Sequence, residues 1–390
     1  MDDFIPFNKP YKGQDEIDAV IRVLSGDYLC GDGNVTRRVH TLLENWLEVT
    51  HAFLTTSCTH SLEMAIMALD IGPGDEVIMP SFTFVSTANA VVMRGARPVF
   101  AEIQPGTLNI DPADVEQKIT RKTKAIIPVH YGGVACAMDE LLDLANIHKL
   151  YIIEDAAQAI DAKYKTNYLG TIGDIGCFSF HDTKNIMCGE GGALVTNNDK
   201  VARKAELLRE KGTNRSAFIR GEVDKYTWMN VGSSYIPSDI LAAILEVQIS
   251  RKSKIKQLRK AVWETYFSTL QPLEEKEFIT LPKVPSYASQ NYHTFFLNTQ
   301  TVEIRDLILK ELRDNGIGAT FHYIPLHSSP YGRQNLQCAQ SLPHTDHLSQ
   351  TLIRLPLYPD LANRAEDVAD KVFDIIHRLS VMSSSIQKSK

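Results

Sequence analysis

The chain has 390 residues, 44% of them apolar and 23% charged, with a formal net charge of −6. That length predicts two domains or one large domain plus a small one, and the balance of residue types excludes both a disordered chain and the basic footprint of a nucleic-acid or anionic-membrane binder. With no apolar run of spanning length, a polar acidic opening "MDDFIPFNKPYKGQDE" and no CxxC pair among six cysteines, the expectation is a soluble cytoplasmic protein without a disulfide framework or zinc knuckle.

From about residue 52 to 200, short apolar runs alternate with helical patterns. "DEVIMP" (75–80) predicts a strand, "SFTFVSTANAVVMRGA" (81–96) a helix and "RPVFAEI" (97–103) a strand. "TKAIIPVH" (123–130), the helix "MDELLDLANIHK" (138–149) and the strand "LYIIED" (150–155) come next, then the strand-like "CFSFH" (177–181) and "GALVTN" (192–197). Such alternation implies crossover connections and a mostly parallel sheet covered on both faces, with ligands at the carboxyl ends of the strands. "SDILAAILEVQISRKSKIKQLRKAVWETYF" (238–267) predicts one long helix whose cationic cluster is solvated. Beyond it the pattern turns α+β: "YHTFFLNT" (292–299) as strand, "IRDLILKELRDNG" (304–316) as helix and "IGATFHYIP" (317–325) as strand, ending in a frayed "SSSIQKSK".

Four features carry chemistry. Lys184 sits in "GCFSFHDTKNIMCGEGGALVTNN", between a strand-like piece and a glycine turn. A buried ammonium is costly, so either the side chain reaches solvent or its unprotonated amine is wanted. Asp155 ends a strand that reads as buried; it is either a helix cap or salt-bridge partner, or a carboxylate opposite a permanent cation such as a protonated pyridine nitrogen. "TTSCTHSLEMAIMALDIG" starts a helix whose free amides near Ser57, Cys58 and Thr59 can cap or hold a phosphate. Phe82 and Phe84 come after a strand as core residues or as rings stacked on a planar cofactor, both facing the same way if the strand period continues.

Taken in order, "TSCTHS", "PSFTF", "IIEDAAQ", "FSFHDTKN…GEGGA" and "VGSSYIPSDILAA" resemble the fold-type I, pyridoxal phosphate-dependent sugar aminotransferases of the DegT/DnrJ/EryC1/StrS group, from "IPFNKPY" through "FHYIPLH". The resemblance implies an α/β large domain over 1–250 that binds pyridoxal 5'-phosphate, and a small α+β domain over 251–390 against which the N-terminal segment packs. It makes Lys184 the lysine that binds the cofactor as an imine and moves protons. Asp155 becomes the carboxylate at the pyridine nitrogen, Gln158 the amide beside the phenolic oxygen and Phe84 the ring stacked on the cofactor. Cys58, Thr59 and Ser179 become the phosphate cup. Relatives more often carry glycine at position 58, which points to backbone N–H groups rather than the thiol. They commonly carry asparagine at Ser234, a residue reaching the phosphate from the neighbouring subunit. His322, Tyr323 and His327 fall where relatives line the sugar pocket.

The same resemblance implies a homodimer with shared sites that passes the amino group of glutamate to a nucleotide-linked 4-oxo-6-deoxyhexose. Amination at carbon 3 is the nearest rival. Relatives that dehydrate sugars carry histidine where this chain has Lys184, and a non-catalytic binding protein has no need of the Lys184/Asp155 pair. His322, His327, His344 and His347 match no metal motif, and no GxGxxG succeeds the first predicted strand.

Overall fold

The computed structural model describes residues 4–336 and 341–387. Its centre is a seven-stranded sheet in the order His51–Thr55, Gly192–Thr196, Ile175–Ser179, Tyr151–Asp155, Thr123–Ile126, Glu76–Pro80, Arg97–Ala101. Only Gly192–Thr196 runs against its neighbours; every other pairing in the sheet is parallel. The strands divide their side chains between two cores with period two, as pleating requires. Val77, Met79, Ile153, Cys177 and Leu194 face one core, while Ile78, Ile152, Phe178, Ala193 and Val195 face the other.

A third core lies around the antiparallel sheet of Ile279–Thr280, Phe295–Thr299 and Leu352–Leu355. Ile5 joins it, its amide bonding the Gly316 carbonyl at 2.8 Å and its carbonyl receiving the Gly318 amide at 2.8 Å. Helix starts obey the local chemistry: Ser57 Oγ accepts the His60 amide at 3.2 Å, and Asn198 Oδ1 accepts that of Lys200 at 3.0 Å. Among the described residues no helix is long and apolar enough to cross a membrane.

Four sequence expectations are corrected. The long helix is two, Asp239–Ser250 and Lys252–Glu275, interrupted at Arg251, whose guanidinium pairs with Asp15 and Glu16. Within its basic run Arg259 is not solvated: it is 2% exposed, donating to the carbonyls of Tyr292 at 3.0 Å and His293 at 2.5 Å. The segment 317–325 is no strand but extended chain with isolated bridges at Ile317 and Thr320. At the C-terminus the helix Ala365–Gln387 takes in the start of the tail expected to fray, whose last three residues lie outside the described ones.

Candidate active site

The strands ending at Pro80, Asp155 and Ser179 point the same way, and their carboxyl ends open on a cavity of about 900 Å³. Asp155 and Lys184 both line it, although 29 positions separate them (184 − 155). Lys184 sits in the loop between antiparallel strands Ile175–Ser179 and Gly192–Thr196. Its amide bonds the His181 carbonyl at 2.9 Å. Among the described residues, no hydrogen-bond or ion-pair partner takes its ammonium. Burial pushes its pKa down, against the opposite pull of Cys58 and Asp155, and Arg354 adds to the downward push.

Asp155 is 5% exposed and firmly held: Oδ2 accepts the Thr87 hydroxyl at 2.8 Å and Oδ1 the Ala157 amide at 3.1 Å. Burial raises its pKa, while Thr87, the Ala157 amide, Lys184 and His130 pull it back. Its neighbour Glu154 points through the other face of the sheet, as strand alternation demands. There it accepts the amides of Gly170, Ile172 and Gly173 at 2.7, 2.6 and 2.7 Å and meets His130 Nε2 at 2.9 Å. The acidic pair "ED" therefore divides into one structural and one cavity-facing carboxylate.

The helix Cys58–Ala68 begins at the cavity wall. Ser57 takes the His60 and Ser61 amides, leaving those of Cys58 and Thr59 as the open donors of a helix N-terminus. The Cys58 thiol is buried and pushed up in pKa, mainly by that burial. Thr59 Oγ1 meets Ser86 Oγ at 2.7 Å, and Ser179 also lines the cavity. Gly192 lets this helix start pack against the strand. A Cβ there would lie 2.4 Å from the Ser57 carbonyl carbon and 2.5 Å from the Cys58 nitrogen.

Phe82 and Phe84 part company, because the chain leaves strand geometry at Ser81 and the helix begins at Val85. Phe82 is 1% exposed, packed 5.2 Å from the Tyr131 ring, whereas Phe84 is 56% exposed and opens on the cavity. Gln158 donates to the Tyr323 hydroxyl at 3.0 Å and accepts the Gly132 amide at 2.7 Å. His322 stacks on Tyr323 with ring centroids 3.5 Å apart, and its Nδ1 meets the Tyr131 hydroxyl at 2.6 Å. Burial, then the charges of Arg354 and Lys184, push its pKa well down, which favours the neutral ring.

One expected site residue stands elsewhere, and Ser234, expected to serve a neighbouring subunit, lies outside this chain's own cavity. His327 is buried outside the cavity lining, its Nδ1 at 2.7 Å from Ser81 Oγ and its Nε2 at 3.3 Å from Asp346. Ser234 is exposed on a loop bridged to Glu210, likewise outside the lining. Thr87, Arg259, His293 and Arg354 do line the cavity and were not singled out from sequence. Thr87 alone carried a signal, a hydroxyl one turn beyond the Phe82–Phe84 segment.

These residues fit pyridoxal phosphate. An unpartnered amine and a fixed carboxylate share one cavity, with an exposed aromatic ring and two open helix-start amides in its wall. Residues 10–374 match the DegT/DnrJ/EryC1/StrS aminotransferase family. The chain belongs to that family. A Methanocaldococcus jannaschii protein of uncharacterised function is 35% identical over 376 residues, 95% of this chain and 96% of that protein. Among solved structures, DesV of S. venezuelae is 32% identical with a TM-score of 0.87, covering 96% of this chain and 98% of DesV. Spr1654 of Streptococcus pneumoniae, solved in its PLP form, is 25% identical with a TM-score of 0.88, covering 96% and 99%. The chain is thus a fold-type I aminotransferase, and its cofactor is pyridoxal 5'-phosphate.

Proposed function

We propose that this aminotransferase moves the amino group of glutamate to the 4-keto carbon of a nucleotide-linked 4-oxo-6-deoxyhexose, dTDP-4-oxo-6-deoxyglucose, for surface-polysaccharide synthesis. One observation carries the reading: the Lys184 amine is held without a partner in the cavity that also receives Asp155. A sugar acceptor is supported by the likeness to Spr1654, which is described as a putative sugar aminotransferase. The 4-position and the dTDP carrier rest on "LCGDGNVTRRV", "TTSCT", "EKGTNRS" and "VDKYTW", which resemble the dTDP-4-amino-4,6-dideoxygalactose transaminase of enterobacterial common antigen synthesis.

When bound, pyridoxal phosphate supplies an aldehyde for the amine and a ring that accepts electrons. The chain's residues have distinct tasks around it. The Cys58 and Thr59 amides and the Ser179 hydroxyl would hold the phosphate at the positive end of a helix. The Asp155 carboxylate, fixed by Thr87 and Ala157, offers a counter-charge to the pyridine nitrogen. Phe84, exposed in the cavity wall, would offer its face to the ring, and Gln158, bonded to Tyr323, would lie beside the phenolic oxygen. Lys184 Nζ, its pKa lowered by burial, takes and returns the proton of the substrate carbon in both halves of a ping-pong exchange.

A second copy of the chain completes the site in this reading. The segment 218–231 exposes Phe218, Ile219, Tyr226, Trp228, Met229 and Val231, with Trp228 at 76%, and leads directly to the exposed Ser234. Exposed apolar residues gathered in one segment are a candidate protein interface. Mixing Lys184→Ala subunits with subunits altered at Ser234 tests the arrangement, since shared sites recover activity only in the hybrid.

The deciding experiment supplies purified protein with glutamate and either the 4-oxo or the 3-oxo sugar nucleotide. A 4-amino product is expected, and a 3-amino product would replace the regiochemical assignment. In parallel, Lys184→Ala should lack the visible absorbance of the lysine-bound cofactor; a normal band would remove Lys184 from its role.

A further inference from the structure

Two imidazoles line the cavity away from the helix start, those of His293 and His322, and their neighbours fix each as a different hydrogen-bonding group. His293 Nδ1 lies 3.0 Å from Asn185 Oδ1. The Asn185 side-chain nitrogen donates to the Asn291 carbonyl at 2.8 Å, so its oxygen faces the ring and the ring must donate. The hydrogen of His293 therefore sits on Nδ1. Its Nε2 is a bare lone pair, and among the described residues nothing takes it. The backbone at this residue is held as well, since Arg259 donates to the carbonyls of Tyr292 at 3.0 Å and His293 at 2.5 Å.

His322 is the opposite case. The buried Tyr131 hydroxyl meets no other acceptor among the described residues, so it donates to His322 Nδ1 at 2.6 Å. The His322 hydrogen therefore sits on Nε2. Burial is the first cause that pushes the pKa of both rings well down, and the charges of Lys184 and Arg354 add to it. Arg259 adds a further push on His293. Both rings are thereby favoured as neutral groups, one with a bare Nε2 and one with an Nε2–H.

A neutral acceptor beside a neutral donor suits a hydroxyl, which gives one hydrogen and accepts another. The rings lie within electrostatic reach of each other and of Lys184, the amine that serves the reacting carbon. A hydroxyl they hold belongs on a carbon next to that one. Recessed polar groups built for a hydroxyl reject an analogue without it, because they are then left unpaired.

We propose that His293 determines acceptor specificity: its Nε2 accepts the hydrogen of a hydroxyl on the carbon next to the keto carbon. Asn185 is the positioning residue that holds the required tautomer. The inference rests on the sugar-acceptor reading. It serves amination at carbon 4 or carbon 3 alike, since each has a hydroxyl-bearing neighbour. Proton transfer stays with Lys184.

The test has two readouts. In the full-length holoenzyme with isotopically labelled histidine nitrogens, NMR should show the His293 ring protonated at Nδ1 and bare at Nε2. His293→Gln identifies the signals by their loss. Asn185→Leu removes the partner of Nδ1 and should move the hydrogen to Nε2. A wild-type ring that carries its hydrogen on Nε2 overturns the proposal. The second readout is the half-reaction that consumes the keto-sugar nucleotide, compared with an analogue lacking the hydroxyl next to the carbonyl. Wild type should favour the hydroxylated acceptor about 10- to 100-fold in kcat/KM, and His293→Phe should lose most of that preference. His293→Gln should keep part of it, because its amide oxygen can stand where Nε2 stood. A preference unchanged in His293→Phe, or a loss equal for the two acceptors, overturns the proposal. A wild-type enzyme that aminates no sugar nucleotide refutes the sugar-acceptor reading itself. Simple α-hydroxy ketones and their deoxy partners then decide for His293: a preference abolished in His293→Phe supports the hydrogen bond, and one that is absent or retained overturns it.

Discussion

Gly192→Ala tests whether the phosphate cup depends on close backbone approach. Gly192 opens its strand, paired with Thr55 on one side and Ser179 on the other. An added methyl would meet the Ser57 carbonyl carbon at 2.4 Å, the Cys58 nitrogen at 2.5 Å and the Ser57 oxygen at 2.6 Å. Ordinary contacts of this kind lie at about 3.5–4.0 Å, so the helix start must retreat by about 1 Å. Overpacking on that scale costs about 1–3 kcal/mol of stability. The retreat also carries the Cys58 amide out of hydrogen-bond reach of a phosphate. Losing one such charged bond, worth about 1.5–3 kcal/mol, weakens cofactor binding about 10- to 150-fold. Equilibrium titration of the apo chain, read by visible absorbance, measures this with pyridoxal phosphate and again with pyridoxal. The loss should be large for the first and small for the second, which has no phosphate. Gly189→Ala is the control, because its φ of +90° makes it strained although nothing lies within 4 Å of its Cβ; it should lose stability and keep the phosphate preference. Gly192→Ala binding both ligands as the wild type does, with unchanged stability, would refute the reasoning.

The site carries three further expected outcomes. Lys184→Met should stabilise the apo chain at neutral pH, because the folded-state pKa of Lys184 lies below its unfolded value. The stability the wild-type lysine offers is present above the unfolded value of 10.5 and lost as pH falls through the folded one, so the advantage of the variant in thermal unfolding should shrink toward pH 10.5. Thr87→Val removes the 2.8 Å donor to Asp155, whose pKa then rises further, so the acidic limb of kcat/KM should move to higher pH; an unmoved limb would separate Asp155 from the reaction. Glu154→Gln leaves three amides and His130 facing an uncharged side chain, and should cost about 3 kcal/mol in denaturant unfolding, far more than a surface glutamate would.

Strand alternation speaks through local pattern, and that made much of the fold and site legible. Asp155 and Lys184 were readable as a pair since one ends a buried strand and the other lies just past the adjacent strand of the same sheet. Fold class came from the same alternation. What escaped was set by distant partners. Nothing near Arg251 announces a helix break, which depends on Asp15 and Glu16 some 235 positions away. Arg259 reads as one more base in a solvated run until the carbonyls of Tyr292 and His293 take its guanidinium. The aromatic run "FHYIP" imitates a strand, yet Phe321, His322, Tyr323 and Ile324 line the cavity wall and the isolated bridges of this segment stop at Thr320, just before it. His327 sits four residues beyond Tyr323 but turns to Ser81, which the local sequence does not reveal.

The charge on the cavity wall joins these points. Its lining holds Lys184, Arg259 and Arg354 as basic groups against Asp155 and Glu190. Burial lowers the pKa of all three basic groups, that of Arg259 to about 9. A protein optimised for its own stability would pair or remove such groups, as buried cations are otherwise retained only when partnered. Glu190 is exposed and faces His181 at 3.7 Å, so it does not neutralise them. The two arginines instead meet backbone carbonyls, which satisfy hydrogen bonds and leave net charge uncancelled. In the proposed reading, anionic groups of the cofactor and substrates, the phosphate at the helix start among them, would offset that charge. Their binding would supply a compensation that the chain's own residues do not, which ties cofactor and substrate affinity to the same electrostatic deficit.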